Sequence, residues 1–198
     1  MDRLLPCVVI ALILAIYFFL RRRGSVITNL RVGFFDLTDG VEVEAANSDK
    51  QVFREIFGEL IESKKTTPKC DILIMHAHFF SDGTIKGSSL GLREIIRDAG
   101  AKVVVVASEN AGGSYVKAGK QKQYGRANLV MTIARRGDCF ASFFRELFSQ
   151  MKNGASMPTA WVRLAPQVHG RSHDNCPETI FSCELGQVRF KVNLQAKP

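Results

Sequence analysis

Two apolar runs dominate the middle of the chain: Cys-Asp-Ile-Leu-Ile-Met-His-Ala-His (residues 70–78) and Lys-Val-Val-Val-Val-Ala-Ser-Glu-Asn-Ala-Gly-Gly (residues 102–113). Short runs rich in Val and Ile are typical of strands that are buried on both faces of a parallel sheet. The segment between them, Ser89–Gly100, has apolar residues at helical spacing and ends at a glycine, as many helices do. The stretch therefore predicts a strand–helix–strand unit, whose polar residues gather where the parallel strands end.

The segments on either side of this unit predict further elements. Strands are predicted at Leu30–Asp36 and Asn128–Ile133, and helices from the capping box Ser48–Gln51 through Glu62, from Asp138 to Gly154 and from Pro158 to Leu164. Two last strands, Thr179–Cys183 and Gln187–Val192, alternate around a glycine-containing turn and predict a C-terminal β-hairpin. This order predicts one α/β domain over residues 30–198, with a mainly parallel sheet and helices on both faces, after a linker at residues 24–29.

The first 23 residues have the pattern of a single-pass membrane anchor. Leu4–Leu20 is an apolar run of about 17 residues, near the lower limit for a spanning helix, and Arg21, Arg22 and Arg23 follow it. A cleaved signal peptide would carry its positive charge mainly before the run and a small-residue cleavage site after it. Arginines on the C-terminal side predict that the N-terminus lies outside and the domain in the cytoplasm, with the arginines at anionic lipid headgroups.

The composition restricts the class of protein. The chain has 198 residues, a net charge of +8 and five cysteines. An odd number of cysteines without paired spacing argues against a disulfide-stapled scaffold. The basic balance leaves nucleic acid and anionic membranes open as partners, and there is no Walker A sequence and no Gly-x-Gly-x-x-Gly sequence.

Polar residues at the two strand ends form the first candidate site. His78 and Ser108 follow neighbouring predicted strands, so an imidazole base and a hydroxyl nucleophile are expected to lie close together. Residues that would orient the imidazole or contact substrate are Asp71, Asp82, Glu109 and Asn110. The alternative is structural: Ser108 and Asn110 cap a turn, and His78 is an ordinary polar residue at a strand end.

A metal site is the second candidate. His76 and His78 are two residues apart in a predicted strand, which places them on one side, and His173 with Cys176 would complete a tetrahedral zinc site. The spacing matches no standard zinc finger, and histidines in surface loops are usually ordinary polar residues. No cofactor is therefore favoured, with zinc left open.

An anion site is the third candidate, in the basic stretch after the second strand. Backbone N–H groups at a glycine-rich strand end bind anions, and the cations that follow would hold a phosphate, a nucleotide or nucleic acid. The residues are Gly112, Gly113, Lys117, Lys120, Lys122 and Arg126. The alternative is a solvated loop.

The two strand-end motifs also resemble those of the caspase-like fold, in particular the CHAT domain. Ile74–Phe79 is similar to that family's Gly-His-Gly type motif, and Val103–Asn110 to its Ser-Ala-Cys type motif, with weaker similarity over residues 71–165. The resemblance implies that His78 is the base and that Ser108 occupies the position of the cysteine nucleophile. It also implies a three-layer sandwich, for which a flavodoxin-like sheet is the alternative.

Two departures from the family pattern shape the expected function. Ser108 lacks the low pKa of a paired thiol, and Phe79 replaces a glycine that allows close backbone approach. We therefore expect a membrane-anchored caspase-like or CHAT-like module, catalytically degenerate, that acts in signalling or protein interaction at the cytoplasmic membrane face, with a protein as its partner. The alternatives are an active hydrolase that uses Ser108 and His78 or a histidine-bound metal, and a flavodoxin-like or Rossmann-like domain that binds a phosphate-bearing ligand.

Overall fold

A computed structural model of the 198-residue chain describes residues 24–39, 42–120, 125–164 and 177–191. The strands are β1 (Val26–Ile27), β2 (Val32–Asp36), β3 (Ile61–Ser63), β4 (Ile72–His76), β5 (Val103–Val106), β6 (Asn128–Ala134), β7 (Glu178–Cys183) and β8 (Arg189–Phe190). The helices are α1 (Glu42–Phe57), α2 (Leu92–Ala99), α3 (Gly112–Gly119), α4 (Cys139–Lys152) and α5 (Met157–Leu164).

The centre of the fold is a six-stranded sheet in the order β3-β2-β4-β5-β6-β7. All neighbouring strands are parallel except β7, which pairs antiparallel with β6 at one edge. The chain runs outward from β2 to β3 and then returns past β2 to β4, so the strand order reverses between β2 and β4. The predicted α/β class and the mainly parallel sheet are confirmed, and β4 and β5 are buried along their whole length.

Helices cover both faces of the sheet. On the first face α1, α4 and α5 pack against one set of alternating strand residues, and this core contains Phe53, Phe140, Phe144 and Phe148. We call it the phenylalanine face. On the second face α2 and α3, each eight residues long, pack against the other set, and we call it the short-helix face. The side chains alternate because successive strand residues point to opposite faces.

The predicted C-terminal hairpin is wrong. The two strands exist, but β7 pairs with β6, whereas β8 pairs parallel with β1 in a separate two-stranded sheet. The reason is burial, because Val188 and Phe190 turn into the core of the phenylalanine face, where Phe190 stacks on Phe148. Strand β1, the partner of β8, lies within the predicted linker at residues 24–29.

Three element boundaries also differ from the prediction. Helix α1 begins at Glu42, six residues before Ser48, and ends before Gly58, whose φ of +83° suits a glycine. The residues predicted as its end, Ile61–Ser63, form β3 and pair with β2. Helix α3 occupies the stretch predicted as a basic loop, because its Tyr115 is buried in the core of the short-helix face.

The predicted membrane anchor, Leu4–Leu20 with Arg21, Arg22 and Arg23, lies outside the described residues. Within residues 24–39, 42–120, 125–164 and 177–191, no helix is both long enough and apolar enough to span a bilayer. The anchor and the topology derived from it therefore stay predictions.

Candidate functional site

A cleft lies at the carboxyl edge of the sheet, where β4, β5 and β6 end. Its volume is about 380 Å³, and its lining consists of Glu42, Ala45, His76, Ala77, His78, Ser108, Glu109 and Arg135. Parallel strands bring their following residues together at this edge, which is where α/β sheets bind ligands. Both members of the predicted pair, His78 and Ser108, therefore face one cleft.

The hydroxyl of Ser108 is held by the backbone. Its Oγ donates a hydrogen bond to the carbonyl of Ala77 at 2.7 Å and accepts one from the N–H of Ala77 at 3.0 Å. His78 is exposed, and its ring lies edge-on to Phe80 with a centroid distance of 5.6 Å. In the described structure no hydrogen bond joins His78 to Ser108, so the serine proton is directed to a carbonyl and not to an imidazole.

Asn110 fastens the ends of three strands. Its Oδ1 accepts from the N–H of Phe79 at 2.7 Å, and its Nδ2 donates to the carbonyl of Ala77 at 3.0 Å. Nδ2 also donates to the hydroxyl of Tyr115 at 3.0 Å, and that hydroxyl lies 3.0 Å from the carbonyl of Thr132 in β6. Burial raises the pKa of Tyr115 well above its usual range, so the phenol stays neutral and donates. These contacts agree with a structural role for Asn110.

The carboxylates that were predicted to orient the imidazole of His78 bind other groups. Asp82 accepts from the hydroxyl and the N–H of Thr84, and these hydrogen bonds lower the pKa of this exposed carboxyl. Glu109 Oε1 accepts from the backbone N–H of Arg135 at 2.6 Å. Asp71 pairs with Arg31 at the opposite edge of the sheet. Among the described contacts none of the three carboxylates reaches His78.

A buried ionic network lies beneath the cleft, and the sequence reasoning missed it. Asp49 and His76 are 1% and 2% exposed, and Asp49 Oδ2 lies 2.6 Å from His76 Nε2. The guanidinium of Arg135 binds both oxygens of the Asp49 carboxylate and stacks 3.9 Å above the ring of Phe140. A buried carboxylate is costly unless it is paired, and here two partners satisfy it. We call these residues the Asp49–His76–Arg135 network.

The network engages one nitrogen of His76. Nε2 is bound by Asp49, the described contacts include no hydrogen bond of Nδ1, and His76 is one of the residues that line the cleft. An imidazole that a carboxylate orients through one nitrogen is suited to take or give a proton through the other. The chemistry available in the cleft therefore centres on His76 and not on His78.

A signal for this network was present in the sequence. The buried stripe of α1 is formed by Ala46, Asp49, Phe53 and Ile56, at helical spacing. Reading Asp49 as part of a capping box placed it in a first turn, whereas it lies in the second turn of a helix that begins earlier. A carboxylate on an apolar stripe indicates a buried cationic partner, although it does not say which one.

The predicted anion residues are not brought together. Gly112 and Gly113 begin α3, whereas Lys117 lies in its last turn and Lys120 directly after it, about 7.5 Å and about 12 Å from Gly112 along the axis at 1.5 Å per residue. Lys117 donates to the carbonyl of Ser81, and Arg126 to the carbonyl of Glu184. Lys122 lies outside the described residues.

The predicted zinc ligands are only partly described. His76 is bound to Asp49, His78 is exposed, and His173 and Cys176 lie outside the described residues. Over the part of the chain that the structure describes, no group of three or more His, Cys, Asp or Glu side chains is arranged to hold a metal ion.

No protein family model matches the chain, and no curated protein gives a significant match.

Proposed function

We propose that the protein is a membrane-anchored module of caspase-like, CHAT-like fold that is catalytically degenerate and acts through protein interaction at the cytoplasmic membrane face. Three features support this proposal: the strand order, the position of the two motifs, and the hydrogen bonds of Ser108. The last of these carries the proposal.

The strand order supports the fold assignment. Counted from β2, the parallel strands follow the order 2-1-3-4-5, which is the doubly wound order of flavodoxin-like sheets. An additional strand, β7, pairs antiparallel with β6 at one edge of this sheet. The two motifs, around His78 and Ser108, follow the adjacent strands β4 and β5, as the resemblance implies.

The hydroxyl of Ser108 supports degeneracy. A serine becomes a nucleophile when a base lies within hydrogen-bond reach of its hydroxyl. Here the hydroxyl donates a hydrogen bond to the carbonyl of Ala77 at 2.7 Å. A backbone carbonyl is too weak a base to remove the proton. The hydrogen bond instead connects the segment after β5 to the segment after β4. The residue at the nucleophile position therefore performs a structural task.

A fluorophosphonate probe on the purified full-length protein tests degeneracy. We expect no more labelling of the wild type than of Ser108→Ala, with an active serine hydrolase in the same reaction as the positive control. Circular dichroism of Ser108→Ala checks that the variant folds. Labelling at Ser108 that His78→Ala abolishes would overturn the proposal.

Fractionation of cells tests the tether. We expect the full-length chain in the membrane pellet, resistant to carbonate extraction, and a variant without residues 1–23 in the supernatant. Protease added to intact cells should leave the C-terminal domain uncut, and permeabilisation should expose it. Cleavage of the domain in intact cells contradicts the cytoplasmic assignment.

The Asp49–His76–Arg135 network favours a second candidate function, hydrolysis with His76 as the base. In this scheme Nδ1 of His76 takes a proton from a water molecule, whose oxygen attacks the carbonyl carbon of an ester or amide. The leaving group then takes the proton back from the imidazole. Asp49 holds the ring through Nε2 at 2.6 Å.

Turnover of p-nitrophenyl acetate separates the two candidates. If the second function is correct, the wild type and His78→Ala hydrolyse the ester equally, and His76→Gln does so at the background rate. If the wild type does not exceed the background, the second candidate is rejected and the degenerate module stands.

A further inference from the structure

A second, larger cleft opens on the short-helix face, above β2 and β3. Its volume is about 640 Å³, within the range of small-molecule sites. Its lining consists of Phe35, Leu37, Lys64, Lys65, Thr66, Thr67, Lys69, Gly87, Ser88, Ser89, Leu90 and Asp98. We call it the lysine cleft. It shares no lining residue with the cleft that contains His76 and Ser108.

The lysine cleft exists because one crossover of the fold lacks a helix. The connection from β3 to β4, residues 64–71, crosses the short-helix face as an irregular segment. Its sequence Lys-Lys-Thr-Thr-Pro explains this, because Pro68 and two β-branched residues disfavour a helix. The sheet face at this position is therefore covered only in part, and Phe35, Leu37 and Leu90 supply apolar lining.

The rim of the cleft is basic and rich in hydroxyl groups. Lys64 lies 3.1 Å from Asp36 Oδ2, and Lys69 donates to the carbonyl of Asp98. Lys65 is exposed and has no hydrogen bond or ion pair among the described residues. Four hydroxyl side chains, those of Thr66, Thr67, Ser88 and Ser89, are also present. Asp98 is the one acidic residue in the lining, and its carboxylate pairs with Arg97.

We propose that the lysine cleft binds a small molecule that carries a phosphate group. Ammonium groups and hydroxyls are donors suited to phosphate oxygens, and the apolar residues would contact the remainder of the ligand. The cleft also lies beside the reversal of strand order between β2 and β4, which is where open α/β sheets bind ligands. A phosphate at this position requires none of the cations predicted from the Gly112–Arg126 stretch.

Calorimetric titration of the purified full-length protein tests the proposal with ADP, inorganic pyrophosphate and adenosine. We expect ADP and pyrophosphate to bind and adenosine to bind at least tenfold more weakly. The double variant Lys64→Gln/Lys65→Gln should weaken ADP binding about 10-fold or more, because a hydrogen bond to a charged group contributes about 1.5–3 kcal/mol and 1.4 kcal/mol is tenfold.

The matched control is Lys117→Gln/Lys120→Gln, which removes the same charge outside the lysine cleft. It should leave ADP binding unchanged, and thermal unfolding should show that both double variants fold. Absence of binding by ADP and by pyrophosphate, equal binding of adenosine, or an equal loss in the control would each overturn the proposal.

Dihexanoyl phosphatidic acid, a water-soluble lipid, distinguishes two sources of the phosphate group. Stronger binding of this lipid than of ADP assigns the cleft to a lipid headgroup, and the reverse order assigns it to a soluble ligand. Both outcomes support phosphate recognition. Because neither depends on Ser108, failure of this proposal leaves the fluorophosphonate result unaffected.

Discussion

The two faces of the sheet are built differently. The phenylalanine face carries helices of 16, 14 and 8 residues, and its core includes Phe53, Phe140, Phe144 and Phe148. The short-helix face carries two helices of 8 residues, and its third crossover has no helix. A cleft of about 210 Å³ on the first face is lined by Phe34 and Lys50, whereas the second face retains a cleft of about 640 Å³ over the same sheet.

The difference separates two tasks. Long helices that bury aromatic side chains contribute a large apolar area to the stability of a domain. Short helices leave part of the sheet accessible, and polar residues of the connecting loops then surround the gap. We infer that stability resides mainly on the phenylalanine face and ligand access on the short-helix face and at the carboxyl edge.

The largest effect is expected from Phe144→Ala. Phe144 is fully buried and contacts Phe53, Phe140 and Phe148, so its truncation should lower the free energy of unfolding by about 3–5 kcal/mol. Urea denaturation measures this change. The control is Val116→Ala on α3, where a 55% exposed side chain should change the free energy by about 0.5 kcal/mol or less. Similar values for the two variants would contradict the division of tasks.

The next effect concerns the Asp49–His76–Arg135 network, which lies beneath the cleft at the carboxyl edge. Asp49→Asn keeps the volume but removes the charge, which leaves Arg135 without its carboxylate and should lower the free energy of unfolding by about 3 kcal/mol. The matched control is Glu55→Gln, because Glu55 and its partner Arg145 are both 47% exposed and should contribute less than about 1 kcal/mol. Equal effects would show that the buried network is not distinct from a surface pair.

A smaller effect is expected from Tyr115→Phe on the short-helix face. The change keeps the ring, whose edge contacts Phe79 at 5.2 Å, and removes only the hydroxyl that joins Asn110 to the carbonyls of β5 and β6. A net loss of about 1 kcal/mol is expected in urea denaturation. The control is Tyr115→Leu, which also removes the ring and should cost more. An unchanged stability in Tyr115→Phe would show that these hydrogen bonds contribute nothing measurable.

The smallest effect is pH-dependent and involves Asp36, the last residue of β2. Burial acts to raise the pKa of Asp36, but hydrogen bonds from Thr38 and the charge of Lys64 outweigh it and lower the pKa below 3.8. A depressed pKa in the folded state means that the carboxylate stabilises the protein above pH 3.8 and that this contribution is lost as the pH falls through the folded-state value.

Urea denaturation of the wild type and Asp36→Asn between pH 6 and about pH 3 tests this sign. The difference in stability between the two proteins should be constant at the upper end and should shrink below pH 3.8. The charge control is Asp39→Asn, since Asp39 is 77% exposed and pairs with Lys86. A stability difference between the wild type and Asp36→Asn that grows as the pH falls would contradict a lowered pKa of Asp36.

The sequence predicts the central part of the fold well because local patterns determine it. Apolar runs mark β4 and β5, and Gly100 ends α2 with a φ of +70°, as expected of a C-terminal glycine. Helix α3 was missed because a Gly-Gly start favours a loop, whereas burial of Tyr115 against the sheet overrides that preference. Strand β3 was missed because Ile61 continues the helical spacing of α1.

The candidate site is less predictable because it depends on pairs that are distant in the chain. Strand adjacency correctly predicts that His78 and Ser108 line the same cleft. No pattern specifies that the serine hydroxyl bonds to a backbone carbonyl, or that Asp49 selects His76 and Arg135, which lie 27 and 86 residues away. Which side chains form these hydrogen bonds depends on tertiary packing, and the local periodicity of the sequence does not specify that packing.

The pairing of β1 with β8 has a mechanical consequence. Any tension applied through the residues before Gly24 reaches this two-residue pair before it reaches β2 and the large sheet. A side chain at position 24 would collide with Gln187, since its Cβ would lie 1.8 Å from the Gln187 carbonyl oxygen, so the two segments are in close contact. Along the line of such a load the two-residue pair therefore lies in series before the six-stranded sheet, and Phe190 of β8 connects it to the phenylalanine face.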